Sequence, residues 1–269
     1  MKKAFSDFKF ILGFTIISFL LLCVLVSFFY MPYDPNQISI SEKLSFFSAK
    51  HIFGTDSLGR DVFSRILVSL RISFFIGFTA ATFGMIFGSL TGALGGYFGG
   101  IADSVVTKII DIQMAFPGIL LALMLSCALG PGMKTTLVAL SIMSIPRFAR
   151  ISRSGFLRYR HSSLVFAQKA RGASVFRIMF LHIFPNISTE LLVTYSLAFA
   201  TSIMNESGLS YLGLGIQPPD ASFGKMLSDA QNSIFQCPWI ILVPAFVLAL
   251  LIIGFTLISD GLTSSKENE

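Results

Sequence analysis

Few residues in this chain are spaced to make or break a covalent bond. His51, His161 and His182 are far apart, no HExxH or GxSxG occurs, and Cys23, Cys127 and Cys237 stand alone in apolar surroundings without CxxC spacing. No catalytic residue and no metal ligand is assigned on this basis. The Gly224-Lys225 pair is followed by Met226 and preceded by Pro219 where a phosphate-binding loop needs glycine, so the chain carries no P-loop. If the protein pumps a solute, its energy must come from another subunit. The chemistry that remains is recognition, and it concentrates in the basic stretch SLVFAQKARGASVFRIMFLHIFP at 163–185. Its pattern predicts a short helix over 164–171, ended by Gly172 in a left-handed conformation. Ser174 can cap a second helix over 175–184, which Pro185 interrupts. Such a pair, showing Val165, Phe166, Ile178 and Met179 among Lys169, Arg171 and Arg177, would suit a groove on a partner protein. The plainer alternative is a loop that is basic because it is cytoplasmic.

The surroundings of that stretch are those of a membrane protein. Of 269 residues, 54% are hydrophobic and only 13% charged, a balance that excludes a soluble domain of this size. The hydrocarbon core needs roughly 20 apolar residues per helix, and six segments meet or approach that length: 10–29, 73–95, 109–129, 135–152, 187–207 and 239–259. Six spans put both termini on one side. With that side cytoplasmic, 13 of the 20 Lys and Arg lie inside and 7 outside, which favours N-in and C-in. Residues 1–30 read as a retained anchor, since the apolar run is too long for a signal peptide and no small-residue cleavage site follows it. The net charge of +6 comes largely from the inside excess and implies anionic lipid headgroups and partner surfaces, not nucleic acid.

Four further features could serve function. The exterior segment 31–72 contains apolar residues at Val62, Ile66 and Leu70, which predicts an amphipathic helix over 61–71 lying at the outer interface, with Asp56 or Ser57 able to cap it. Gly84, Gly88 and Gly92 recur every four residues and form a flat strip for close helix contact, either within a bundle that includes a second membrane subunit or between two copies of this chain. Asp111, Glu190 and Glu206 fall near span ends rather than at mid-membrane. After Glu206, residues 207–227 hold Gly208, Gly213, Gly215, Pro218 and Pro219, which preclude a simple helix. Irregular backbone near membrane depth must be buried in protein or line water, so Glu206, Gln217, Pro218 and Pro219 are candidates for an outer gate or pathway.

Three stretches, GTDSLGRDVFSR at 54–65, the insert with GAS at 172–174 and HIFPN at 182–186, and SYLGLGIQPPDASFGKML at 210–227, occur in an order that resembles the inner-membrane permeases of binding-protein-dependent ABC importers. The likeness is to the second permease of the dipeptide, oligopeptide and nickel class and runs from His51 to Leu262, with YDP at 33–35 and GPG at 130–132 as weaker matches. It implies an all-α membrane protein of six transmembrane helices with the type I importer fold: an anchor at 1–30, an extracytoplasmic segment at 31–72, a transmembrane domain at 73–262 and a cytoplasmic tail at 263–269. The insert, 153–186, resembles the family's EAA loop, which docks on an ATPase. Phe166, Ala167, Gln168, Lys169, Gly172, Ala173, Ser174 and Pro185 would then be coupling residues, with Phe166 in place of the usual glutamate and Gln168 in place of the second alanine. The implied partners are a homologous permease, two ATPases that bind the ATP and magnesium, and an extracytoplasmic binding protein in a bacterial inner membrane, with no cofactor on this chain. The implied cargo is a short peptide or a nickel or metal chelate. A channel or secondary transporter acting alone is the competing class.

Overall fold

The computed structural model describes residues 7–267, so Lys2 and Lys3 of the inside charge count and residues 268–269 of the tail lie outside the described residues. The chain is built from helices. α1 (Phe8–Phe29) is followed by a segment of turns with one 3-10 turn at Ile40–Glu42 and then by α2 (Val62–Phe83), which passes through a π-helical turn at Gly84–Gly88 into α3 (Ser89–Phe98). Then come α4 (Gly100–Ala115), α5 (Gly118–Leu129), α6 (Met133–Tyr159) and the short α7 (Ser163–Ala170) and α8 (Val175–Arg177). A second π-helical stretch, Ile178–Ile183, joins α8 to α9 (Phe184–Tyr211), and α10 (Phe223–Ala230) and α11 (Trp239–Glu267) complete the chain. Among the described residues the only β pairing is an isolated bridge between Thr55 and Asp61.

Four helical stretches are long and apolar enough to cross a membrane: Phe8–Phe29, Val62–Phe98, Val175–Tyr211 and Trp239–Ser264. A fifth crossing results if α4 and α5, bent by 80°, act as one. The expected continuous span over 109–129 is therefore broken. Pro117 forces Phe116 before it into an extended conformation, with φ −85° and ψ 127°. The expected span at 135–152 is a helix, α6, but Lys134, Arg147, Arg150, Arg153 and Arg158 keep it too polar to count by composition.

The helix expected over 61–71 is present as the first turns of the second span, but it is buried in the protein instead of lying at an interface. Asp61, rather than Asp56 or Ser57, caps α2 by accepting from the Ser64 N–H at 2.8 Å, and the helix runs straight into the second span. Val62, Ile66 and Leu70 do share one face, but that face is in the core, and so is Arg65 on the same turns at 1% exposure. The polar residues that made the segment look interfacial are buried and paired.

The glycine strip finds its partner inside this chain. A Cβ built on Gly84 would stand 2.5 Å from the Ser144 Cβ, on Gly88 2.4 Å from the Ile145 carbonyl oxygen, on Gly92 2.2 Å from that of Ala149, and on Gly96 2.6 Å from that of Arg153. The strip thus lies backbone to backbone against α6, which corrects the expectation of a second membrane subunit or a second copy. The π turn at Gly84–Gly88 carries the first two glycines of this contact. α1 packs on α11 in the same manner, with Gly13 under the Gly254 carbonyl and Gly261 against Phe10.

These distances predict opposite outcomes for two Gly→Ala changes. Gly88→Ala should lower the detergent melting temperature, at a cost of about 1–3 kcal/mol for overpacking. Gly208→Ala, in α9 with nothing within 4 Å of the new methyl, should be neutral or gain up to about 1 kcal/mol of helix propensity. Equal melting temperatures for the two variants would contradict the close contact.

Candidate functional site

The stretch singled out in the sequence forms two short helices at one end of the molecule. Ser162 caps α7 by accepting from the Val165 N–H, and Gly172 takes φ +75° after α7 ends. Ser174 then caps α8 by accepting from the Arg177 N–H at 3.4 Å. The chain does not stop at Pro185. Its missing N–H falls just after the π-helical stretch Ile178–Ile183, where the hydrogen-bond ladder is already shifted, so helix runs unbroken from Val175 to Tyr211.

The faces differ from expectation. Val165, Ile178 and Met179, expected to meet a partner, are 0%, 1% and 4% exposed and belong to the chain's own core. Two short helices need anchoring, and these three side chains hold the loop to the body. Phe166 is 57% exposed, as is Phe176 at 74%, with Leu164, Phe180 and Leu181 also exposed. Ala167, Lys169, Gly172, Ser174 and Pro185 are exposed, and Gln168 and Ala173 half-buried. Phe176 stacks on Phe180 at 6.1 Å, and Phe180 leans on Phe184 at 6.4 Å. This aromatic ladder was missed in the sequence, although its spacing of four residues is the signal of one helix face.

At the other end of α9, Glu206 is wholly buried. Its carboxylate accepts from the Ser210 hydroxyl at 2.7 Å and the Ser207 hydroxyl at 3.4 Å. The Ser210 oxygen in turn accepts from the Ile216 N–H at 2.9 Å. A knot of side chains thus ties the loop 212–222 back onto α9, whose helix persists through Gly208 to Tyr211 despite the glycines expected to break it earlier. Gln217 is half-buried and bonds the carbonyls of Gly213 and Gly215, each at 3.0 Å, while Pro218 and Pro219 are exposed.

The motif at 54–65 meets α10, which follows and overlaps the motif at 210–227, through charge. Asp56 accepts from the Arg60 Nε at 2.7 Å and lies 3.7 Å from the Arg65 Nε. Arg60 also reaches Asp229 at 3.6 Å, which Lys225 approaches to 2.8 Å. Arg65 donates to the Pro35 carbonyl at 3.1 Å, and His51 shares a 2.8 Å bond with the Asp61 that caps α2. Nearby, on the surface, hydrogen bonding to Lys50 holds the Glu42 carboxyl below its usual range.

Two cavities open beside α6. One, of about 430 Å³, is bounded by Gln113, Phe116, Leu121 and Pro146, and the other, of about 270 Å³, by Ser144, Thr201, Ser202 and Asn205. Met143 and Arg147 line both.

The family described as the inner membrane component of binding-protein-dependent transport systems matches residues 84–265. This chain belongs to that permease family. The permease is 40% identical over 84% of its length to the dipeptide transport system permease protein DppC of Alkalihalophilus pseudofirmus, covering 75% of that protein. It is 38% identical over 93% of its length to the glutathione transport system permease protein GsiD of Pectobacterium atrosepticum, covering 84% of it. In fold it matches a chain of the inward-facing MetNI methionine ABC transporter at a TM-score of 0.60 and 17% identity, over 74% of this permease and 95% of that chain. A chain of an amino acid ABC transporter gives 0.57 at 16% identity, over 76% of this permease and 94% of that chain.

The charge cluster of Asp56, Arg60, Arg65 and Asp229 yields a test of how the permease is held together. Asp56→Ala would leave Arg65 buried without its carboxylate and Arg60 with Asp229 alone, a class of change that costs about 3–5 kcal/mol. The expected result is a large fall in the melting temperature of the detergent-solubilised protein. Asp34→Ala, at an exposed turn of the same segment, is the comparison and should leave it unchanged.

Proposed function

We propose that this permease forms half of the translocation pathway of an ATP-driven importer of short peptides. The observation that carries the reading is the 40% identity with a dipeptide permease over 84% of the chain. The 38% identity with a glutathione permease points the same way, since glutathione is itself a short peptide. Neither name points to nickel or a metal chelate.

In this reading the partners are a homologous permease, two ATPases that hold the ATP and magnesium, and an extracytoplasmic binding protein. The permease itself holds no cofactor. It crosses the membrane six times, by α1, α2 with α3, α4 with α5, α6, α8 with α9, and α11, with both termini cytoplasmic. The segment before α2 lies outside and α7 lies inside. What supports a crossing by α6 is the pairing of its charges: Arg150 with Asp111 at 3.5 Å, Arg153 with Asp103 at 2.8 Å and Arg158 with Glu190 at 2.8 Å.

The loop at 160–185 docks on an ATPase through Phe166, Ala167, Gln168, Lys169, Gly172, Ala173 and Ser174, with the exposed Phe176 added to that face. Pro185 marks where the loop joins α9. ATP-driven closure of the ATPases moves this loop, and α9 carries the motion to the outer loop holding Gln217, Pro218 and Pro219, which Glu206 positions. Coupling requires that the ATP-bound ATPases prefer one permease conformation over the other. A stand-alone channel or secondary transporter would leave the exposed aromatic face without a purpose.

The dock is tested by comparing single variants of the assembled transporter. Phe166→Ala should weaken retention of the ATPase in a pull-down more than Lys169→Ala does, because burying a phenylalanine is worth up to about 3 kcal/mol and an exposed ion pair about 1 kcal/mol or less. The reverse ranking would mean that charge holds the interface. Gly172→Val should uncouple transport from ATP hydrolysis while the chain still inserts, since φ +75° strains a β-branched residue. Gly172→Asn, tolerated in that conformation, should keep most of the uptake; equal uptake by Val and Asn variants would refute the role of the turn.

A further inference from the structure

α6 carries four arginines, Arg147, Arg150, Arg153 and Arg158, and three of them have carboxylate partners in the chain. Arg147 has none among the described residues. Its one hydrogen bond runs from Nη1 to the Thr201 hydroxyl at 3.2 Å. A guanidinium has five donors in a planar fork, so most of this one's capacity is open, and the residue is exposed. It lies halfway along the helix proposed to cross the membrane, roughly 21 Å from the start of a rod of about 40 Å. A cation there without a counter-ion is costly and marks a functional site by default. Its position is specific, because Arg147 lines both cavities beside α6 and stands where they adjoin.

We propose that Arg147 recognises the carboxylate of a peptide passing through the pathway. This rests on the peptide-importer reading and adds the residue and the group it takes. The remaining lining fits the rest of such a cargo. Gln113 in one cavity and Asn205 in the other offer amide groups that can match peptide N–H and C=O. Met143 and Met204 offer unbranched, polarisable side chains that adapt to different residues. The guanidinium fork matches a carboxylate in bidentate fashion, where a lysine would act as a point charge. A single unpaired cation also leaves the interaction weak enough for release, as a pathway residue requires.

The test uses the complete transporter in proteoliposomes with its binding protein at saturation, and compares uptake of dialanine with that of dialanine amide. The same binding protein serves every variant, so its own preference cancels when ratios are compared between variants. Arg147→Gln should reduce the acid-to-amide uptake ratio about tenfold relative to wild type, the size of one lost charge-assisted contact, while the subunits still co-purify. Arg147→Lys should keep most of the wild-type ratio. An unchanged ratio in Arg147→Gln overturns the assignment. So does loss of the partner permease on purification of Arg147→Gln, which would make Arg147 an inter-subunit contact. If the wild-type transporter imports neither compound, the peptide reading falls and takes this one with it; a wild type that imports them with a ratio insensitive to Arg147 defeats the assignment alone.

Discussion

The contact between the glycine strip of the π turn and α3 and the backbone of α6 is the constraint from which the rest of the arrangement follows. Apolar side chains gain nothing by leaving lipid for a lipid-like protein interior, so helices in a bilayer are held by close van der Waals contact and polar pairing. At Gly84, Gly88, Gly92 and Gly96 an added Cβ would stand 2.2–2.6 Å from α6 atoms, which leaves no space for any side chain. That approach fixes which face of α6 is spent on packing. Ser144, Phe148, Ala149, Ser152 and Phe156 lie buried on it or beside it. The opposite side is left for Met143, Arg147 and Arg150, and hence for the two cavities and the outward-facing charges. A residue larger than glycine in the strip would therefore move the cavity walls along with the core.

The second constraint is the continuity of α8 and α9. Residues 175–211 form one helical rod of 37 residues, roughly 55 Å long at the usual rise, which exceeds the hydrocarbon core of about 30 Å. One end is fastened to the short helices through Val165, Ile178 and Met179, and the other ends in the Glu206, Ser210 and Ile216 knot. Gly224 of α10 lies so close to the Ser207 carbonyl that a Cβ would stand 1.9 Å from it, and α10 bears the Asp229 that meets Arg60. Displacement of the loop at 163–174 thus has a packed route to the charge cluster of Arg60 and Asp229. The π-helical stretch at 178–183 is the place along the rod where the ladder of backbone bonds is irregular, and so where a bend costs least.

Much of this was legible in the sequence, and the failures share a cause. Hydrophobic length located α1, α9 and α11, and backbone chemistry located the turn, because φ > 0 at Gly172 and the cap at Ser174 depend only on local residues. What depends on a distant partner was misread. The period of Val62, Ile66 and Leu70 is identical for a helix at an interface and for one buried inside, and only the pairing of Arg65 with Asp56 and the Pro35 carbonyl distinguishes them. Val165, Ile178 and Met179 were assigned to the outer face of the loop for the same reason, since an apolar residue among cations does not reveal which body it packs against. Pro185 was read as a stop because the π turn that accommodates it has no sequence signature. The glycine strip announced a close contact but could not say with which helix.

Phe166 connects the local and the distant. The position is exposed in the isolated chain, on the turn of α7 beside the buried Val165, so the body of the permease does not explain a large apolar side chain there. In the proposed assembly the position contacts the ATPase, and a ring has a different physical consequence from the acid expected by resemblance. Charge at an exposed contact steers approach and is screened beyond a Debye length of about 8 Å at physiological salt. Burial of a ring acts only once contact is made and is far less sensitive to salt. The substitution therefore shifts the interface from one that attracts its partner at a distance toward one that holds it after docking. Lys169, Arg171 and Arg177, all exposed around the same turn, bear the opposite sign from that acid, so the long-range attraction this face retains is for an acidic surface.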